Sequence, residues 1–274
     1  IFNILLIPSI VIIILIKNNH NLMINHKLIM RDAGILLVSQ IFLLYFIQDG
    51  VITLLDSFYL FLIYIAYLLV LSRGGMFERK QDQEVHKDRR SHAWRKILKS
   101  VFLISIWCLL LVFSCEVLFS GSYPNFLSFL NFEGGLGYDN VLLVGLLFAA
   151  AASSVPDLFI SSLDAKSGDT EDSLSNPIAS NLFDICIAFG VPLFIYNIFN
   201  GEIKFTNYSE NTSFQDIYTL IILMIVITIL FLVSVLISKR YTLMHSFFFI
   251  LVFAVFSFSI FNLDIIYNTL PAWI

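Results

Sequence analysis

Eight stretches of mostly apolar residues, near 1–17, 34–48, 51–72, 100–119, 141–163, 175–198, 217–238 and 244–263, leave this chain few folds to choose from. Runs of about 18 or more apolar residues with few charges mark helices that cross a hydrocarbon core ~30 Å thick. Backbone amides and carbonyls find no water there, so each crossing satisfies its own hydrogen bonds as a helix. With 58% of its 274 residues hydrophobic and only 13% charged, the composition excludes an ordinary soluble domain. The expected fold class is therefore an all-α membrane protein of about eight transmembrane helices. Residues 1–17 show neither the basic flank nor the cleavage site of a secretory signal and are read as a mature helix. Cys108, Cys115 and Cys186 fall inside spans, lack metal-knuckle spacing and are expected to pack as small apolar residues.

The basic residues sort the connecting loops into two sets. The alternate segments 17–33, 73–99, 164–174 and 239–243 hold 15 of the 16 lysines and arginines, and only Lys204 lies in the other set. That other set carries Asp49, Glu133, Asp139, Glu202, Glu210, Asp216 and Asp264. Lysine and arginine in short loops are retained on the cytoplasmic side, so the basic set, including the long loop 73–99, is expected there. That loop is read as a solvated, topology-fixing connector. Asn207 and Asn211 head Asn-x-Ser/Thr sequons on the opposite side.

One stretch breaks the rules of a lipid-facing hairpin. Residues 149–192 place Asp157, Asp184, Pro156 and a cluster of hydroxyls at membrane depth. A carboxylate there is costly enough that it faces a bundle interior or a wet cavity and marks a pathway for ions or protons. Both aspartates lie roughly 20 Å from the polar turn near residue 170, at ~1.5 Å per residue, so an antiparallel helix pair presents them at one depth. Pro156 removes a backbone donor and frees carbonyls near Ala152 and Ser153, which can bind cations where they line a cavity. Ser153 and Ser154 stand one turn before Asp157, and Ser180, with Asn181 beside it, one turn before Asp184. The set is all oxygen, which suits a hard cation such as Ca²⁺ or Na⁺ and argues against zinc or copper. Asp56 and Glu116 sit nearer the ends of their spans and are read as helix-end or snorkelling groups.

The segment "SSVPDLFISSLDAKSGDTEDSLSNPIASNLFDICIAFGVP" resembles the second α-repeat of the sodium/calcium exchanger family of cation antiporters. The family pattern there is Gly-Thr-Ser-x-Pro-Glu/Asp, a Lys-x-Gly turn, then Gly-Ser-Asn-x-Phe-Asp. The resemblance implies a ten-helix inverted-repeat exchanger fold of which this chain is the remainder, an N-terminally truncated fragment whose first two helices and hydroxyl-x-Pro-Glu motif lie upstream. It divides the chain into 1–72, the end of the first repeat plus two helices, the basic loop 73–99, and 100–274, which contains the second repeat at about 149–192. "IFNILLIPSI" is similar to "LFDICIAFGV", aligning Phe2 with Phe183 and Asn3 with Asp184. By the resemblance Asp157 is the principal acidic ligand, Ser153, Ser154, Ser180, Asn181 and Asp184 contribute beside it, and Asn3 is the amide that mirrors Asp184. Ala152 and Ala179 replace family glycines, and Ser153 replaces the threonine. Asp157 in place of Glu, with Asp184, is more similar to the potassium-dependent and some prokaryotic branches.

The function implied is secondary active antiport, with Na⁺ and Ca²⁺ as transported substrates and K⁺ left open. No enzyme activity, resident cofactor or nucleic-acid partner is expected; the partners are the lipid bilayer and the missing N-terminal helices. The localisation expected is the plasma membrane, multi-pass. The competing class is an intramembrane aspartyl protease, which also needs two membrane aspartates. Its "YD" counterpart, Tyr138–Asp139, falls in an outer loop, and its Gly-x-Gly-Asp and Pro-Ala-Leu signatures are missing. A non-transporting exchanger remnant is the third reading.

Overall fold

The computed structural model describes residues 1–73, 150–204 and 214–261, with scattered helical residues between 98 and 114. Chain packing divides it into two units, one formed by residues 1–65 and 154–274, the other by 66–153.

In the first unit a π-helical turn, Phe2–Leu6, leads into α1 (Ile7–Lys17), followed by α2 (His26–Ile47) and the start of α3 (Leu54–Arg73). After α4 (Ala150–Ser153), which belongs to the second unit, come α5 (Val155–Ser167) and α6 (Thr170–Phe183). A second π-helical turn, Asp184–Phe189, leads into α7 (Gly190–Asn200), and α8 (Phe214–Ile237) and α9 (Leu243–Phe261) complete the order. Among the described residues, His26–Ile47, Leu54–Arg73, Thr170–Asn200 and Ile217–Ile237 are long and apolar enough to cross a membrane, and Phe2–Lys17 and Leu243–Phe258 are shorter apolar helices. The chain is an all-α membrane protein, its only sheet among these residues a two-residue antiparallel ladder of Val51–Ile52 with Ile203–Lys204.

The core of the first unit lies where α1 packs on α5, α6 and α9 and where α2 packs on α6 and α8. Ile4, Leu5, Val11, Ile12, Leu36, Ile178, Leu182 and Phe231 are buried there. Small hydroxyl residues let helices approach and bond across them. Ser246 on α9 donates to the Ser9 carbonyl at 3.0 Å, while Ser9 donates back to the Leu5 carbonyl at 2.6 Å. The outward faces are apolar as well, with Tyr45, Leu55, Phe159, Phe247 and Phe258 exposed, the arrangement a hydrocarbon solvent favours.

The loops meet in two separate groups. At one end the loop 18–25 is bonded to both of its neighbours: Thr170 Oγ1 donates to the Asn21 carbonyl at 2.7 Å, Asn25 Nδ2 to Glu171 at 2.8 Å, and Ile24 N–H to the Lys239 carbonyl at 3.1 Å. At the other end the segment after α2 forms the ladder with the segment after α7, and Asn197 donates to the Ile52 carbonyl at 3.3 Å. Among the described residues the first group joins three of the basic segments, 17–33, 164–174 and 239–243, while most of the fourth, 73–99, lies outside them.

Boundaries differ from the sequence reading at α2, which starts at His26 rather than near 34. Lys27, Arg31 and Asp32 thus lie inside the helix, within the segment 17–33 that the charge count places in a loop. Asn25 caps the helix by accepting from Leu28 N–H, and Asp32 is buried against Arg31, whose Nε is 2.6 Å away, and Ser175. Asp56 plays the helix-end part expected of it, exchanging bonds with Thr53 as a reciprocal cap of α3: Thr53 N–H and Oγ1 donate to it at 2.8 and 2.7 Å.

The turn between α5 and α6 depends on Gly168. Its φ of 89° lies in the left-handed region, and a Cβ there would stand 3.0 Å from His20 Nδ1. That ring in turn meets the Lys166 carbonyl at 3.1 Å. Gly168→Ala is expected to cost about 1–2 kcal/mol of stability from the left-handed strain and to lower the thermal unfolding midpoint of the detergent-solubilised protein; an unchanged midpoint would show that the turn adapts.

Candidate cation site

Four helix interruptions converge on the polar hairpin. Pro156, at the second position of α5, has no N–H to give the Ala152 carbonyl, and the helix is broken at Ser154 between α4 and α5. Pro177 interrupts the ladder inside α6 in the same way. The π turns open on Phe2 and Asp184, next to or at the pair Asn3 and Asp184 that the sequence aligns. In the first of them the Ile7 N–H reaches the Phe2 carbonyl five residues back. Such turns widen a helix locally and redirect side chains, and they recur at functional sites.

Asp157, in the first turn of α5, is the centre of the arrangement. Its Oδ2 accepts from Asn3 Nδ2 at 2.9 Å and from Ser180 Oγ at 2.7 Å. One carboxylate oxygen thus joins three elements, the first π turn, α5 and α6, over sequence separations of 154 and 23 residues. Asn3 is buried and its Oδ1 has no hydrogen-bond partner; Asn181 Nδ2 is likewise buried and unpartnered. Buried amide groups left unpaired carry a desolvation cost of about 1–3 kcal/mol each. Asp184 opens the second π turn one helical turn beyond Ser180, close enough to Asp157 for the two negative charges to interact.

Of the residues named from the sequence, Asn3, Asp157 and Ser180 are therefore in direct contact, with Asp184 nearby on the same helix as Ser180 and Asn181. Ser154 caps α5. Ser153 belongs to the second unit, where its hydroxyl donates to the Ala150 carbonyl at 3.0 Å. Among the described residues no group of three or more His, Cys, Asp or Glu side chains assembles. A cation here would be held by two carboxylates supplemented by amide, hydroxyl and carbonyl oxygens, a hard-ion set. Glu116, Tyr138–Asp139, Cys108, Cys115, the two sequons and most of the basic loop lie outside the described residues.

Sequence reasoning missed the polar contacts that hold α6 in place. Asp32, fully buried on α2, accepts from Ser175 Oγ and from Arg31 Nε and Nη2 at 2.6 and 2.9 Å. Asn176 Nδ2 donates to Ser161 Oγ on α5 at 3.3 Å. Both α6 residues sit just before Pro177, so the half of α6 below the proline is tied to two neighbours. The available signal was Asp32 itself, a carboxylate within reach of an apolar run. Asp32→Ala leaves Ser175 and Arg31 without their acceptor and is expected to destabilise the protein by about 1–3 kcal/mol, read as a lower unfolding midpoint, with Ser175→Ala losing less; equal midpoints for wild type and Asp32→Ala would remove the contact's structural role.

Comparison with known proteins bears on the same region. The family described as sodium/calcium exchanger protein matches residues 140–262, a range that includes Asp157, Ser180 and Asp184. The chain is 41% identical over 59 residues to the sodium/potassium/calcium exchanger 1 of Gallus gallus, 22% of this chain and 9% of that protein. It is 44% identical over 57 residues to the human sodium/potassium/calcium exchanger 4, 21% of this chain and 9% of that protein. For the Drosophila melanogaster sodium/potassium/calcium exchanger Nckx30C the identity is 36% over 59 residues, 22% of this chain and 7% of that protein. The chain thus spans less than a tenth of each of these relatives. No solved structure matches it.

Proposed function

We propose that the protein, whose residues 140–262 match the sodium/calcium exchanger family, is a secondary active antiporter exchanging Na⁺ for Ca²⁺ at the site around Asp157. The observation that carries the reading is the clasp on that carboxylate, made by an amide from the first π turn and a hydroxyl from α6. The clasp uses ligands from segments 154 residues apart, as expected where repeats of inverted orientation meet at the bilayer midplane.

Ca²⁺ takes six to eight oxygens at about 2.3–2.6 Å. Asp157 and Asp184 supply the charge, Ser180 a hydroxyl, and Asn3 its Oδ1 once its amide turns so that the oxygen faces the ion. A cation at Asp157 takes over the stabilisation that the Asn3 and Ser180 protons give it.

Coupling follows from the same charges. Two carboxylates in a low-dielectric interior cost several kcal/mol per uncompensated ion, so a site moving past the hydrocarbon barrier must be neutralised. One Ca²⁺ or several Na⁺ does this, and alternating access therefore proceeds only with a loaded site. The relatives are sodium/potassium/calcium exchangers, which extends the proposal to K⁺ as a co-transported ion. The basic end of the bundle is assigned to the cytoplasm, following the lysine and arginine bias.

The test is Ca²⁺ uptake into proteoliposomes driven by an outward Na⁺ gradient. Wild type is expected to accumulate Ca²⁺, Asp157→Asn to fall to background, and Ser180→Ala to need about tenfold more Ca²⁺, the equivalent of one hydrogen bond to a charged group. Undiminished flux in a folded Asp157→Asn protein would sink the assignment. Replacing K⁺ by an inert organic cation reads out the co-ion: loss of flux assigns K⁺ to the cycle, and retention removes it.

A further inference from the structure

The loop between α8 and α9 is held rigidly and carries two cations. Lys239 carbonyl accepts from Ile24 N–H at 3.1 Å, Tyr241 N–H donates to the Leu22 carbonyl at 2.9 Å, and Met23 and Arg240 form an antiparallel bridge. His26 Nε2 meets the Ser238 carbonyl at 2.8 Å, and Tyr241 is buried beneath the loop. The backbone is thereby pinned while the side chains of Lys239 and Arg240 stand exposed. Neither forms an ion pair with any described residue.

These two cations line an open groove of about 720 Å³ together with Ser238, Thr242, His245 and Phe248. The ring of His245 is oriented by its neighbours. Its Nδ1 accepts from Thr242 N–H at 3.1 Å and lies 2.8 Å from Thr242 Oγ1, which leaves the ring proton on Nε2. Nε2–H then donates to Ser238 Oγ at 2.8 Å. Ser238 is thus used as an acceptor and retains its own hydroxyl proton for a ligand in the groove. The first turn of α9 begins at the same edge, so the positive end of a 19-residue helix adds to the two side-chain charges.

The groove has an apolar continuation. Met244, Phe248 and Leu251 are exposed at 76%, 38% and 62% and follow one another at helical spacing down the face of α9. Cations, a hydroxyl donor and helix amides at the polar end, with an apolar stripe running along an apolar helix, fit an amphiphile with an anionic head. A free phosphate would leave the stripe unused.

We propose that this groove is a binding site for an anionic phospholipid. Its headgroup phosphate is held by Lys239, Arg240, the Ser238 hydroxyl and the Leu243 and Met244 amides that open α9, and one acyl chain lies along Met244, Phe248 and Leu251. The site is separate from the cation site, and its occupancy does not depend on which ions are transported.

The experiment uses the full chain in nanodiscs of phosphatidylcholine with a minor fraction of phosphatidic acid, with bound lipid counted by native mass spectrometry. Wild type is expected to retain phosphatidic acid in preference to phosphatidylcholine. Lys239→Gln with Arg240→Gln is expected to lower that preference about thirtyfold, two cations near an anionic headgroup contributing roughly fivefold each. Lys166→Gln, which removes an exposed cation from the same end of the bundle, should leave it unchanged. Met244→Glu, which keeps both cations and charges the stripe, should also lower it. Equal effects of Lys166→Gln and the double variant would show a diffuse surface charge and overturn the site, as would no lipid preference in wild type. Inorganic phosphate displacing the lipid at matched concentration would assign the groove to free phosphate and overturn the lipid.

Discussion

In hydrocarbon a backbone amide or carbonyl has no solvent to bond, so every departure from a continuous helix must be compensated by protein groups. The two π turns, the break at Ser154 and Pro177 all fall in the segments that carry Asn3, Asp157, Ser180 and Asp184. Elsewhere α2, α3 and α8 run for 20 residues or more without a proline. The irregular backbone is thus concentrated where polar side chains are present to receive it. The Asp157 carboxylate, with donors from two other elements, is the clearest case.

That carboxylate also links local chemistry to packing. Asp157 Oδ2 can meet Asn3 only because α1 and its π turn lie against α5 and α6, where Ile178 and Leu182 are buried. Away from the site, the ends of the bundle are closed by different means. The basic end uses side-chain bonds between loop 18–25 and the start of α6 and backbone bonds from that loop to the one at Lys239, while the opposite end uses a two-residue ladder and Asn197. Asp32 and Asn176 tie α6 on one side of Pro177 and leave the other side to the cation site. A helix held on one side of a proline and bearing ligands on the other is suited to bending there.

Much of this was legible in the chain. The apolar runs gave the helices because the bilayer imposes length and composition on any span. Three of the four basic segments picked out by the charge count, 17–33, 164–174 and 239–243, meet in the first unit. Asp157 with Ser180 and Asp184 stood out because a carboxylate at membrane depth is costly without a role. The start of α2 was not legible, since Lys27, Arg31 and Asp32 read as a loop unless one knows that Asp32 is buried against Arg31 and Ser175. The groove at Lys239 was equally hidden: two basic residues in a short loop look like any topology signal until the loop is seen pinned and the α9 face beside it left open.

Sequence alone determined that this chain crosses a membrane as helices and which residues carry charge into it, because both follow from local composition and the transfer energies of side chains. Tertiary structure alone decided that Asn3 and Ser180 share one oxygen of Asp157, that Asp32 belongs to α6 as much as to α2, and that Lys239 and Arg240 border a groove. Such pairings join residues up to 154 positions apart. They depend on how helices of similar apolar character choose neighbours, and in a bilayer hydrophobicity does not distinguish one apolar neighbour from another; close packing and a few hydrogen bonds do.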